Sequence, residues 1–187
     1  MIYKTSYDSP LGSLLLLADE KGLTGLWFEN QKHFAYGRTG FEADAADSVE
    51  TCGDGSLPLL SEAERWLDLY FAGKKPDFDL PINLSGTEFQ KKVWEILCTI
   101  PYGATMTYGQ IAAQLAAEQG ITRMSAQAVG GAVGHNPLSI IVPCHRVVGT
   151  NGSLTGYGGG IDRKLKLLTL EGVDMSRLFV PKKGTAL

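Results

Sequence analysis

Apolar residues in the first 28 positions come in short bursts separated by turn formers. The bursts Ile2 to Tyr7, Leu14 to Ala18 and Leu23 to Phe28 flank the turns Ser9-Pro10-Leu11-Gly12 and Asp19-Glu20-Lys21-Gly22, which predicts a three-stranded antiparallel meander. Residues 29 to 56 are rich in Gly, Asp, Ser and Ala without a period and read as loop. The spacing then changes. Leu59, Ala63, Trp66, Leu67 and Tyr70 recur at helical intervals up to Phe71, and Ala72-Gly73-Lys74-Lys75-Pro76 stops the helix. A weak alternation runs on to Gly86, which places a boundary near 80 to 86 and divides the chain into residues 1–84 and 85–187.

Beyond the boundary the signals are helical. Two capping boxes of the form T-x-x-Q, Thr87 to Gln90 and Thr107 to Gln110, open helices over Phe89 to Thr99 and Tyr108 to Glu118. In the first, Val93, Trp94, Leu97 and Cys98 fall on one face, so Cys98 is expected to be a small core residue. Pro101-Tyr102-Gly103 ends that helix. Gly120, Thr122 and Ser125 mark a tight turn into a further helix ending near Gly134, and helix, turn, helix is the outline of a helix-turn-helix.

The last of these helices has an unusual composition, Ser-Ala-Gln-Ala-Val-Gly-Gly-Ala-Val-Gly. Each interior Gly costs roughly 1 kcal/mol of helix propensity relative to Ala. Two explanations stand: close backbone packing inside the protein, or approach to a nucleic-acid minor groove only about 6 Å wide. A major-groove reader needs several long polar side chains, and only Gln127 qualifies.

Charge gives the second explanation some weight. Residues 1 to 84 carry 7 Lys/Arg against 14 Asp/Glu, a net of −7, and residues 85 to 187 carry 10 against 6, a net of +4, which together give the formal −3 of the whole. An anionic partner would meet the second half, although small domains also differ in charge by chance. The N-terminus lacks a basic stretch followed by an apolar one, and the aliphatic run Leu14 to Ala18 is far too short to span a bilayer, so the expected location is cytoplasmic, with no membrane partner. Cysteines number three, Cys52, Cys98 and Cys144, with no CxxC spacing, which argues against a disulfide framework and a zinc knuckle. His33, Cys52 and His135 are assigned to no metal.

The run Ser139 to Gly149 reads as an apolar buried strand interrupted by Pro143, which cannot donate to a ladder. It places Cys144 where the strand gives out. A thiol is a weak nucleophile at its reference pKa of about 8.5 and wants a base, which the adjacent His145 could supply. Neighbours in extended chain point to opposite faces, so that contact would be indirect, through a turn or a water. A Cys-His pair by itself is more often structural than catalytic.

Taken together, Pro143-Cys144-His145-Arg146-Val147 with Asn136 eight residues before the cysteine, the following Gly156-Tyr157-Gly158-Gly159-Gly160, and the later KLKLLTLEG closely resemble the O6-alkylguanine-DNA alkyltransferases. The resemblance covers residues 85 to 173 strongly, and SPLG with LTGLWF matches the weaker N-terminal pattern of the family. It implies an α+β chain: a small antiparallel-sheet domain of ribonuclease H-like type, then a mostly helical domain with a helix-turn-helix. It implies direct DNA repair, in which Cys144 irreversibly accepts an alkyl group from O6 of guanine, possible also from O4 of thymine, after base flipping.

By the same resemblance His145 activates Cys144, Glu171 orients His145, Asn136 ties the helix-turn-helix to the active-site segment, and Tyr108 helps swing the nucleotide out and donates to the base. Val147, Tyr157, Gly158 and Lys164 match the pocket wall, Gly158 standing where relatives often have Ser. Thr107, Ser125, Ala126, Gln127, Ala128, Gly130 and Thr150 fall on the DNA-binding face, with Gln127 where relatives commonly carry an intercalating arginine. Glu171 also has independent support, since an acid at a helix C-terminus sits against the macrodipole and benefits from a cation. The implied partner is double-stranded DNA containing O6-alkylguanine, bound through the minor groove by a monomer. Displacement at a saturated carbon needs no cofactor, and a thioether product has no carbonyl for water to attack, so one chain repairs one lesion. The competing readings are a Cys-His thiol hydrolase, which would release many products, and a lesion-binding module without repair, whose kind lacks the cysteine.

Overall fold

The computed structural model describes residues 2–32, 49–51 and 58–181. Strands β1 (Ile2–Ser9), β2 (Gly12–Asp19) and β3 (Gly22–Phe28) form the expected meander, and β4 (Val49–Thr51) adds to the open side of β1 in parallel, giving the order β3-β2-β1-β4. Both turns are fixed by side chains. Ser9 Oγ accepts from Leu11 N and donates to Gly12 O, and Asp19 Oδ1 accepts from the N–H groups of Lys21 and Gly22. Helix α1 (Pro58–Phe71) buries Leu60, Ala63, Leu67 and Tyr70 against this sheet. Its first residue is a proline, whose missing N–H costs nothing there.

Every residue of β3 is buried, because β3 is not a free edge. Leu23 pairs with Ile82 and Leu26 with Leu138, so the segment leading to Cys144 is bonded directly to the N-terminal sheet. One apolar core accordingly runs from Leu14 and Phe28 through Tyr70 to Trp94, Val133 and Cys144. Among the described residues the packing is continuous across position 84.

Helices α2 (Glu88–Cys98) and α3 (Tyr108–Glu118) begin at complete capping boxes, with Thr87 and Thr107 accepting from the Gln90 and Gln110 backbones while each Gln side chain accepts from its cap residue. Helix α4 (Ala126–Gly134) is capped by Ser125 and packs on α2 and α3, where Trp94 Nε1 donates to Ala132 O. Strands β5 (Met106–Thr107) and β6 (Val147–Val148) pair in parallel, and α5 (Ile161–Leu170) follows the glycine-rich loop. Among the described residues no helix is long and apolar enough to cross a membrane.

Two expectations are corrected. Cys98 is exposed rather than core: α2 buries Val93, Trp94, Ile96 and Leu97, and Cys98 is its last residue, turned away from that stripe. The segment before Cys144 is not a strand. Ile140 has φ +71°, Ile141 N donates back to Ser139 O, Cys144 N donates to Val142 O, and Cys144–Arg146 form a 3-10 turn; only Val147 and Val148 enter a sheet. Burial of an apolar run fixed its environment but not its backbone, and the peptide groups are satisfied by turns and by Asn136 instead of by a ladder. A β-branched residue at positive φ is strained and persists only where its surroundings hold it. His33 and Cys52 lie outside the described residues.

Candidate functional site

The 3-10 turn places Cys144, His145 and Arg146 in the interior together, 6%, 0% and 9% exposed. Asn136, at the end of α4, braces the turn in front of them. Its Nδ2 donates to Val142 O at 2.8 Å and to Leu138 O at 3.2 Å, and its Oδ1 accepts from Leu138 N. Burial pushes the Cys144 thiol up. Hydrogen bonds from the Asn136 amide and from the N–H groups of Cys144 and His145, with the Lys164 ammonium, pull it back down. The resting group is thus a thiol surrounded by groups that favour its anion.

Glu171 caps the C-terminus of α5, 5% exposed, and gathers five donors. Oε1 accepts from His145 Nε2 (2.6 Å), Tyr70 Oη (2.7 Å) and Arg146 Nη2 (3.0 Å); Oε2 accepts from Arg146 Nε (2.8 Å) and Gly103 N (3.2 Å). Arg146 Nη1 donates to Ile100 O. Burial alone would raise the carboxyl, but the hydrogen bonds from His145 and Arg146, with the charge of Arg146 and that of the His145 ring once acid protonates it, outweigh burial and hold Glu171 at about 2. Burial lowers His145 despite Glu171, so its ring is neutral at neutral pH. Arg146 is then the cation that keeps Glu171 ionised.

A carboxylate only accepts, so His145 Nε2 carries the proton and Nδ1 has the lone pair. Nδ1 is buried and has no protein partner among the described residues. The ring is therefore presented as a base, with the nitrogen that Glu171 does not use.

Around this centre, Tyr108 Oη donates to the carbonyls of Thr155 and Gly156, both at 3.2 Å, and a Cβ at Gly156 would lie 2.5 Å from that hydroxyl. Lys164 has no exposed surface; Nζ donates to Val147 O and Thr155 O, clamping the glycine-rich loop to β6 from behind. Burial lowers it to about 8 although the Cys144 sulfur raises it, which leaves it largely charged at neutral pH. Tyr157 is buried with its ring edge-on to His145 at 6.5 Å. Val147 is fully buried, and Gly158 lines a cavity of about 230 Å³ with Lys32, Gln127, Gly130, Gly131, Gly134 and His135.

On α4 the residues Ser125, Ala126, Gln127 and Ala128 are exposed, Gly130 half-buried. Thr150 is exposed, 3.7 Å from where a Cβ on Gly109 would stand, and Thr107 is half-buried beside it. A Cβ added at Gly131 or Gly134 would meet nothing within 4 Å. Packing inside the protein therefore does not require glycine at those two positions.

Two members of the site went unassigned from sequence. Arg146 lies in the quoted motif, and the need of a buried carboxylate for a cation could have found it. Tyr70 comes from α1 and reads as one more core residue; no local signal separates it from its neighbours.

Comparisons with known proteins point to one family. The model of the 6-O-methylguanine DNA methyltransferase DNA binding domain matches residues 88–173, and that of the ribonuclease-like domain of the same proteins matches residues 2–84. A methylated-DNA–protein-cysteine methyltransferase of Mycobacterium tuberculosis is 45% identical over 171 residues, 91% of this chain and 93% of the relative. One from Methanosarcina acetivorans is 43% identical over 172 residues, covering 91% and 99%. Among solved structures, Mycobacterium tuberculosis OGT in complex with DNA superposes with a TM-score of 0.73 at 43% identity, covering 94% of each chain. An O6-methylguanine DNA methyltransferase from Methanococcus jannaschii gives 0.59 at 29% identity, covering 96% and 100%.

Proposed function

The chain belongs to the 6-O-methylguanine DNA methyltransferase family, and we propose that Cys144 takes the alkyl group through the Cys144, His145 and Glu171 arrangement described above. The protein repairs double-stranded DNA by direct reversal, in a single turnover that consumes it. The observation that carries the role of Cys144 is a buried thiol beside a neutral imidazole whose Nδ1 is free and whose Nε2 is fixed by an ionised glutamate.

The thiol proton passes to His145 Nδ1, directly or through one water, and Glu171 stabilises the imidazolium that forms. The sulfur attacks the saturated carbon on O6; the S–C bond forms as the C–O bond breaks, and guanine leaves with the electron pair. Tyr108, which now donates to two carbonyls, is the donor available to the departing base once the loop admits it. The Asn136 amide, two backbone N–H groups and Lys164 stabilise the thiolate in the meantime. Asn136 and Lys164 thus shape the nucleophile, while Val147, Tyr157 and Gly158 form the wall against which the flipped base rests. We take residues 1–84 and 85–187 as working units of one packed body, acting in the cytoplasm or nucleoid.

The open face of α4 fits insertion into a minor groove, with Thr107, Ser125, Ala126, Gln127, Ala128, Gly130 and Thr150 along the contact. Gly131 tests this. Gly131→Ala removes a helix-breaking glycine and meets no neighbour, so it is expected to stabilise the protein by about 0.5–1 kcal/mol in thermal melts while weakening duplex binding. Gly131→Leu should weaken binding further. Binding unaffected by both would place the groove elsewhere.

Gln127 is the residue positioned to occupy the stack vacated by the flipped nucleotide. Its amide can hydrogen-bond the orphaned base but lacks the stacking plane and charge of arginine. Gln127→Arg is expected to speed repair of duplex DNA by about tenfold, the scale of a modest cation–π contact, and to leave the reaction with free O6-benzylguanine nearly unchanged. Single-turnover rates on both substrates decide it; parallel changes in the two would remove Gln127 from the flipping step.

A further inference from the structure

Among the described residues, Tyr70 is the side chain from the first 84 positions that hydrogen-bonds into the active-site network. It is fully buried on α1, stacked on Trp66 at 5.5 Å and edge-on to Tyr102 at 6.1 Å and to His145 at 6.4 Å. Its hydroxyl donates at 2.7 Å to Oε1 of Glu171, the same oxygen that holds His145 Nε2, and lies 3.3 Å from that nitrogen. A phenylalanine would fill the same space. The hydroxyl group costs desolvation that its contacts with Glu171 and His145 offset, so its presence at the base needs a reason beyond packing.

We propose that Tyr70 is a positioning residue for alkyl transfer: its hydroxyl fixes the Glu171 carboxylate and, through it, the basicity and orientation of His145, so the sheet domain helps set the reactivity of Cys144. This rests on the roles given above to Cys144 and His145. Burial first, and the neighbouring Glu171 second, hold the phenol far above its usual range, so it stays a donor at all working pH values. Each proton it shares with Oε1 withdraws negative charge from the side of the carboxylate that faces His145. Without it Glu171 pulls harder on the imidazolium, and His145 becomes more basic.

The charged and titratable groups around the pair do not reverse that direction. Tyr70 is faced by Glu171, Arg146, Tyr102 and Tyr157, and His145 by Glu171, Arg146 and Lys164, with Tyr157 edge-on; Cys144 is faced by Lys164, Tyr108 and Tyr157. None of these contacts is made through the Tyr70 hydroxyl except those with Glu171 and His145.

The test is the single-turnover rate of Tyr70→Phe against wild type over pH, on duplex DNA containing O6-methylguanine and on free O6-benzylguanine. The acid limb of the profile, where His145 must lose its proton, should move up by about half to one pH unit, slowing the reaction about threefold to tenfold below the limb. The two proteins should converge at alkaline pH, equally on both substrates, with unchanged duplex affinity. 3-Fluorotyrosine incorporated at Tyr70 keeps the fold and is a stronger donor, so it should shift the limb the other way. A ¹⁵N titration of the His145 ring should move in parallel with each limb. A reduction by one factor at every pH, an unmoved limb with fluorotyrosine, or an effect confined to duplex DNA would overturn the proposal. Failure of wild type itself to transfer an alkyl group would instead overturn the reading on which it rests.

Discussion

Cys144→Ser is expected to take up no alkyl group at all, while wild type mixed with excess O6-methylguanine duplex gains about 14 Da, one methylene, at one copy per chain. A serine hydroxyl at this site has the same base beside it but is far less acidic and less nucleophilic than the thiol, and a buried anion on oxygen is harder to form. The substitution is nearly isosteric, so the fold and duplex binding should survive, and the unreacted complex should persist. Cys98 cannot take over: it is exposed at the end of α2, partial burial raises its thiol, and among the described residues the charges acting on it are those of Arg146, Glu95 and Asp79 rather than an imidazole. Intact mass, followed by peptide mapping, reads both points. Mass gain on the Cys144→Ser protein, or on Cys98 of wild type, would displace Cys144 from its role. Release of several product bases per chain would restore the thiol hydrolase.

What could be read ahead of the structure followed how local the signal was. The start of α3 was legible because the Thr107 to Gln110 capping box is complete within four residues, and the meander because each turn carries its own side-chain hydrogen bonds. β4 was not, since three residues in an aperiodic stretch acquire their conformation from β1. Cys98 was misplaced because it sits about 100° round the helix from Leu97, at the margin of the apolar stripe, where the helix ends before anything covers it. The segment before Cys144 reads as strand because burial without alternation is silent on backbone, and Ile140 at positive φ has no sequence signature. Glu171 was legible through the family resemblance, with its place at a helix C-terminus as added support, and its need for a cation is answered by Arg146. Tyr70 was not, because its partner lies 101 residues away and only the hydroxyl distinguishes its role from packing.

Glu171→Gln tests that network where it is most heavily used. The amide offers one oxygen in place of two and turns an N–H₂ toward a site built from donors, so Arg146 keeps a buried, unmatched charge and His145 Nε2–H loses its fixed acceptor. Loss of about 3–5 kcal/mol of stability is expected at neutral pH from the broken buried pair. Transfer should slow about a hundredfold or more, because the imidazole is no longer held as the Nε2–H tautomer and its cation is no longer stabilised. The pH dependence separates this from a general packing defect. Glu171 is held at about 2 against an ordinary 4.5, so its contribution, roughly 3 kcal/mol, is complete above pH 4.5 and disappears as pH falls toward 2. The gap between wild type and Glu171→Gln in thermal or denaturant melts should therefore be widest at neutral pH and close progressively across that acidic window. Duplex affinity should change little, since neither residue lies on the α4 face. A gap that stays constant from pH 7 to pH 3, or a variant that transfers at the wild-type rate, would mean that Glu171 is not the anion that holds Arg146 and His145.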